Sequence, residues 1–457
     1  MVDDRKIELF ETRSIPNAVM TLAIPTVLSS LVMVIYNLSD TFFVGMLNEP
    51  IQNAAVTLAA PLLLAFNAVN NLFGVGASSM MSRAMGRKDY DTVSRSSAFG
   101  FYCAILSGLF FSLAYTLLRV PALKILGADA QTAQATGEYL LWTVSWGAVP
   151  AILNVVMAYL LRAEGSTVHA SIGTMSGCLL NIILDPIFIL PWGLDMGASG
   201  AGLATCISNV FACGYFFVLL FVRRKRTAVC IRPKMFGFRR SIVTGVCAVG
   251  IPAAIQNLLN VTGMTILNNF AAVGGADAVA AVGIAQKINM VPLNMAMGFS
   301  QGVMPLVSYN YSSGNGKRLR ETITYSLKVS LIFVVAAAII CFFGAEILVA
   351  MFMKNETIIG YGAAFLKGFS LALPFLALDF LAVGVFQACG MGKRSLIFAL
   401  LRKIVLEIPA LYILNLIFPL YGLAYAQFVA EVILATVAMV MLQRIFKSVE
   451  AGQTLRK

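Results

Sequence analysis

Long apolar stretches recur along the chain, separated by short polar breaks. They fall near residues 17–43, 54–80, 94–118, 138–161, 168–190, 199–222, 243–270, 278–308, 322–344, 361–387, 395–418 and 421–445. Each can supply the ~20 residues that cross a hydrocarbon core ~30 Å thick. No water is available there, so every backbone group needs a partner within its own segment, which predicts helices. The expected fold class is an all-α polytopic membrane protein with twelve transmembrane helices, numbered here as spans 1 to 12. An even number of spans puts both termini on one face.

The polar breaks say which face. With the N-terminus inside, the inner segments hold Arg5, Lys6 and Arg13, then Arg83, Arg87, Lys88 and Arg95, and then Arg162. They also hold the central basic run from Arg223 to Arg240. Three later clusters are Lys317/Arg318/Arg320/Lys328, Lys393/Arg394/Arg402/Lys403 and Arg444/Lys447/Arg456/Lys457. Only Arg119, Lys124, Lys287, Lys354 and Lys367 remain for the outer face and the spans. Such a bias sets orientation. Both termini are expected in the cytoplasm, with the chain in the cytoplasmic (inner or plasma) membrane of a bacterium.

Composition narrows the class. Of 457 residues, 59% are hydrophobic and only 12% charged, half the ~25% of a soluble domain. The mean hydropathy is +0.84. These values exclude an ordinary soluble enzyme, a disordered chain and a secreted disulfide scaffold. The net charge of +12 is read as a topology determinant touching anionic lipid, and no nucleic-acid partner is expected. Met1–Arg13 is a charged tail, so no secretory signal is expected. The eight Cys include no C-x-x-C pair, and all but Cys230 lie in apolar runs, as small core residues do. With one His (His169) and no G-x-x-x-x-G-K-[ST], neither a histidine metal site nor ATP-driven pumping by this chain is expected.

The two halves resemble each other. Ala23-Ile24-Pro25 recurs as Gly250-Ile251-Pro252, and Ala54-Ala55-Val56 as Ala280-Ala281-Val282. The loop Gly86-Arg87-Lys88 matches Ser313-Gly314-Asn315, Leu161–Gly165 matches Phe386–Gly390, and Gly202-Leu203-Ala204 matches Gly422-Leu423-Ala424. Order is preserved and the separation is nearly constant. The expected organisation is an N-terminal six-helix lobe (1–222), a basic cytoplasmic linker (223–242) and a C-terminal six-helix lobe (243–457). Six spans per unit make the copies parallel, related by a pseudo-two-fold along the membrane normal.

Polar residues inside the spans are the candidate chemistry, because a carboxylate in the bilayer costs several kcal/mol. Asp40 lies toward the outer end of span 1, and Asp185 near the outer end of span 5. Asn181 and Asp185 (i, i+4) share one helix face, and Asn37 and Asp40 (i, i+3) share another. Thr205 in span 6 sits at similar depth, and Asn154 in span 4 adds an amide. Pro186 removes a donor and frees the carbonyl of Ile182, while Pro25 can bend span 1. Two carboxylates with amide and hydroxyl oxygens suit a proton or Na⁺, and no other metal site is expected. In the C-terminal lobe, Asp379 occupies the repeat position of Asn154. Gln256 and Asn260 are i, i+4 on span 7, and Lys287 is in span 8. An Asp379–Lys287 pair is read equally as a gate or as helix glue. Lys403 and Glu407 are expected to satisfy each other, and Glu431 is left unassigned. Gly173-x-x-x-Gly177 and Gly298-x-x-x-Gly302 suit close helix packing.

Four segments carry a family likeness: Tyr36–Gly45 (YNLSDTFFVG), Arg162–Gly165 (RAEG), Asn181–Ile189 (NIILDPIFI) and Gly200–Thr205 (GAGLAT). Through them the chain resembles multidrug and toxic compound extrusion (MATE) transporters, in the bacterial branch near the staphylococcal multidrug exporter. The resemblance implies efflux of drugs and cations driven by inward H⁺ or Na⁺. It assigns Asp40, Asn154, Asn181, Asp185 and Thr205 to the cation network, Pro25 to bending and Tyr36 to its vicinity. Some members carry a Glu on span 7 where this chain places Asn260. A second Na⁺ site of that kind is therefore not expected, although Asp379 is kept.

The combined expectation is a monomeric secondary antiporter, not an enzyme. It would export amphipathic or cationic small molecules by alternating access, with H⁺ or Na⁺ as coupling ion and no cofactor. The alternative is a flippase of lipid-linked saccharides, which needs a strongly cationic cavity.

Overall fold

The computed structural model describes residues 4–47 and 49–450. Arg456 and Lys457, counted above toward the inner face, lie outside the described residues, as does the side chain of Arg5. Among the described residues there is no strand. After a short helix, Asp4–Glu11, spans 1 to 3 are Ile15–Gly45, Pro50–Gly86 and Tyr90–Leu117. Span 4 is the broken pair Ala133–Trp146 and Ala148–Ala163, bent by 51°. Spans 5 and 6 are Thr167–Ile189 and Gly197–Val222. Spans 7 to 10 are Arg240–Ala272, Ala276–Ser312, Gly316–Phe343 and Glu356–Ala388. Span 11 runs over 392–417 and span 12 is Tyr421–Glu450.

All twelve expected helices are therefore present, but they are not equally apolar. Nine described helices are long and apolar enough to cross a membrane, ten with the bent pair of span 4. Spans 8 and 11 fall short because they carry polar groups, the half-buried Gln286 and Lys287 in the first and the buried Arg402, Lys403 and Glu407 in the second. The outward faces are what lipid requires. Phe110, Leu117, Phe221 and Phe343 are among many large apolar side chains left exposed, an arrangement that a protein in water avoids.

The chain packs as two compact units, residues 1–9 with 32–254, and 10–31 with 255–457. Each unit thus takes the N-terminal half of one repeat's first helix onto the other repeat's second. In one, a Cβ on Gly302 of span 8 would stand 2.8 Å from Ala23 Cα and Leu22 O of span 1. In the other, a Cβ on Gly76 of span 2 would stand 2.5 Å from Val246 O of span 7. Only glycine allows such approach. Pro25 interrupts neither helix nor packing: span 1 is continuous through it, and nearby carbonyls accept from Thr26, Ser29 and Ser30 hydroxyls.

Equivalent helices of the two repeats are capped alike. Asp89 accepts from the Thr92 amide at the start of span 3, and Asn315 from the Arg318 amide at the start of span 9. Among the described residues, three segments are wound as π-helix: Asn70–Val75, Leu141–Trp146 and Leu401–Glu407. The second ends at Gly147, where span 4 bends. There the Ser145 carbonyl accepts the Ser112 hydroxyl and Ser145 Oγ accepts from Thr116 at 3.0 Å, so span 3 satisfies groups that the wide turn releases.

The third π segment corrects the sequence reading. Charge alone places Arg402 and Lys403 in an inner basic cluster, but both are buried within span 11. Carboxylates on spans 11 and 12 compensate them there, so they do not contribute to the charge bias at the membrane face.

Candidate functional site

The unit that contains residues 32–254 gathers the N-terminal candidates. Asp185 and Asn181, one turn apart on span 5, are buried. With the Asn181 oxygen facing Thr205, at 3.1 Å from its N and 3.3 Å from its Oγ1, the amide nitrogen donates to Asp185 Oδ2 at 2.8 Å and Oδ1 at 3.3 Å. Asn181 thus couples span 6 to the carboxylate. Tyr36 and Asp40, from the C-terminal half of span 1, complete the group: Tyr36 lies beside Thr205, and its surroundings include both Asp40 and Asp185. Asp40 Oδ1 is buried and has no hydrogen-bond partner. Asn154 donates to Asn209 Oδ1 at 3.2 Å, and its own Oδ1 is likewise buried and unpartnered. Among the described residues, no basic side chain compensates either aspartate.

Asn37 does not join this group. Its side chain is exposed, although its carbonyl accepts the Thr41 hydroxyl at 2.9 Å. Two residues that the sequence pattern did not single out take part, Asn209 as the partner of Asn154 and Tyr139 beside the acids. Asn209 is one turn beyond Thr205 on span 6, a spacing that could have exposed it. Tyr139 is buried beside Asp40, Tyr36 and Asp185. It precedes the π turn of span 4, and nothing in its local sequence signals the position. Pro186 comes directly after Asp185 within span 5 and leaves the Ile182 carbonyl without its helical donor.

The other unit is built differently. Asp379 of span 10 is buried next to Glu431 of span 12, with Arg402 of span 11 in its field. Arg402 Nε meets Glu431 Oε1 at 2.7 Å, and its guanidinium lies over the Phe380 ring at 5.1 Å. Lys403 meets Glu407 at 2.6 Å, as the i, i+4 spacing suggested. Gly263 of span 7 packs on that pair, with Lys403 Nζ 3.1 Å from where a Cβ would stand. Asp379 does not pair with Lys287, which is half-buried and has no carboxylate partner among the described residues. Gln256 accepts from Gln387 at 3.2 Å, and Gln387 also reaches Ser395. Asn260 is half-buried, with no hydrogen bond to Gln256.

A third polar centre lies at the C-terminal end of span 4. Glu164 is buried, meets Lys6 at 2.7 Å, and accepts from Ser166, from the Thr227 hydroxyl and from the Ala228 amide. One carboxylate therefore ties the N-terminal helix and the central linker to the same place.

Comparison with known proteins gives a consistent outcome. The MatE family model matches twice, over residues 25–187 and 252–413. The two matches begin at Pro25 and Pro252, the prolines that the internal repeat aligns. The multidrug export protein MepA of Staphylococcus aureus is 32% identical over 441 residues, covering 96% of each chain. MepA of Staphylococcus haemolyticus is 33% identical over 439 residues, covering 95% of each. A solved structure of a multidrug resistance MATE family transporter of the MOP superfamily, in an outward-facing conformation, superposes with a TM-score of 0.92. It is 24% identical, with 99% of this chain and 100% of that one covered, and it supports the all-helical two-lobe fold.

Proposed function

The chain belongs to the MatE family of multi-pass membrane transporters, and on that premise we propose that it is a multidrug exporter working as a secondary antiporter. Amphipathic and cationic compounds leave the cytoplasm in exchange for H⁺ or Na⁺. The observation that carries this reading is the Asp185–Asn181–Thr205 bridge beside Asp40, in which two acids share a buried site with neutral oxygens and no basic side chain among the described residues. Two nearby buried carboxylates cannot both keep their charge without a counterion. An arriving proton or Na⁺ supplies it. The cation and the drug need only favour different states of the carrier, because a ligand shifts an equilibrium by its differential affinity.

Asp40 and Asp185 are the principal cation ligands in this scheme. Asn181 positions Asp185, while Asn154 and Tyr36 supply further oxygens. Asp379 acts on substrate range through its own network. The family likeness and the named exporters support the substrate class. The orientation with both termini inside rests on the basic residues of the loops.

The flippase alternative needs unpaired basic side chains to hold a pyrophosphate. Here Arg402, Lys403 and Lys367 each meet a carboxylate, those of Glu431, Glu407 and Glu346. Of the candidates, Lys287 alone is left without one among the described residues, a single cation where a pyrophosphate calls for several. That pairing favours the exporter.

Everted vesicles carrying separate H⁺ and Na⁺ gradients test the proposal. Efflux of a cationic dye should follow one of the two gradients and be lost in Asp40→Asn and Asp185→Asn while both proteins remain in the membrane. Wild-type rates in both variants would falsify the assignment of these acids.

A further inference from the structure

A groove of about 860 Å³ lies at the inner ends of spans 3 and 6, under the central linker. Its floor is apolar, formed by Phe217, Leu220 and Phe221 near the end of span 6, with Tyr90 at the start of span 3. Its rim carries Arg224 and Arg232. Both are exposed, and neither meets a carboxylate among the described residues. Arg224 rests over the Phe221 ring at 5.8 Å, which keeps the guanidinium at the mouth of the apolar floor.

The rim is held in place. Linker residues 227–231 have no regular structure, yet they are pinned along their length. Glu164 accepts from Thr227 and Ala228. Ser97 Oγ accepts from the Cys230 amide at 2.9 Å, and the Tyr102 hydroxyl donates to the Ile231 carbonyl at 2.9 Å. Side chains on a fixed strap keep their spacing without a ligand, which lowers the ordering penalty of binding.

We propose that this groove seats one anionic glycerophospholipid. The phosphate lies between Arg224 and Arg232, and the first part of an acyl chain runs along Phe217, Leu220 and Phe221. Charge complementarity selects the occupant. Guanidinium forks fit phosphate oxygens, the rim repels cationic drugs, and the floor suits hydrocarbon. Phe221 and Val222 on the same helix end are each 74% exposed, as side chains at a membrane boundary are. Basic residues just beyond a span attract anionic lipid in general, and the groove turns that diffuse attraction into a site. The proposal rests on membrane insertion and not on the transport reading.

The test uses the full chain purified in detergent. It is exposed to an equimolar mixture of phosphatidylglycerol and phosphatidylcholine, and retained lipid is counted by native mass spectrometry. Preferential retention of one phosphatidylglycerol is expected, reduced roughly tenfold in the Arg224→Gln/Arg232→Gln variant. The Arg239→Gln/Arg240→Gln variant removes the same charge outside the groove and should keep it. All four positions are exposed, and a monodisperse gel-filtration peak verifies folding of each variant. Equal loss in both variants, no loss in the first, or equal retention of phosphatidylcholine overturns the proposal. Binding of soluble glycerol 3-phosphate as tightly as the lipid also overturns it, since the floor would then contribute nothing.

Discussion

The two units bury acids in opposite ways. In one, Asp40 and Asp185 are surrounded by amides, hydroxyls and phenols, with no basic partner among the described residues. In the other, Asp379, Glu431 and Glu407 lie among Arg402 and Lys403. Repeats of common origin have thus reached different electrical solutions. The first site leaves Asp40 Oδ1 buried and unpartnered, and the proposed coupling ion would partner it. The second carries counterions for Glu431 and Glu407 in the sequence, where breaking a pair strands a charge, while both oxygens of Asp379 stay buried without a hydrogen-bond partner. On the proposed antiport reading, this difference places coupling in the first unit and a largely architectural role in the second.

Neutralising one acid in each unit gives the sharpest contrast. Asp185→Asn is expected to bring gradient-driven efflux to background, with thermal stability in detergent unchanged or raised, because an uncompensated buried acid is removed. A fall in melting temperature together with retained efflux would reverse the roles of the two units. Next in size is Arg402→Met, which leaves Glu431 without its partner and should destabilise the protein by ~3–5 kcal/mol. The double change Arg402→Met/Glu431→Met should recover most of that loss, and thermal melts of both variants check it. Asp379→Asn should give a partial loss of efflux that differs between substrates. Identical behaviour to wild type across a panel of dyes and drugs would make Asp379 purely structural.

Smaller effects test finer parts of the comparison. Thr205→Val removes one anchor of Asn181, worth ~1 kcal/mol, and should slow coupled efflux a few-fold, while Thr205→Ser restores it. The smallest contrast is between the caps. Hydrogen bonds from the Thr92 hydroxyl and amide hold the Asp89 carboxyl below its ordinary range, so its contribution is present at neutral pH. It is lost as pH falls through the lowered folded value. Asn315 caps span 9 without titrating. Amide exchange in the first turn of span 3 should therefore quicken at acid pH relative to neutral by more than that of span 9.

Much of the fold was legible in the sequence because membranes impose simple rules. Twelve apolar runs, the repeat and the shared face of Asn181 and Asp185 come from helical period and the scarcity of intramembrane acids. What escaped were partners chosen across helices. Asn154–Asn209 and Arg402–Glu431 depend on which faces meet, and Asn37 shows that sharing a face with Asp40 does not bring a residue into the cluster. Arg402 and Lys403 look like loop cations by charge alone, and only their burial beside Glu431 and Glu407 reassigns them. Glu164 stood within a recognisable motif, yet its grip on Lys6 and the linker involves residues distant in the chain.

The π turn Leu401–Glu407 holds one residue more than regular helix would need for the same rise. The wide turn absorbs that residue, so the helix on either side keeps its phase. Deleting a single outward residue such as Val405 would let the turn rewind as α-helix with the flanking turns left in place. The change falls inside the turn, where Arg402, Lys403 and Glu407 lie. A one-codon deletion there reaches the ion pairs of this lobe without moving its packing surfaces, a genetic step that no catalogue of point substitutions would sample.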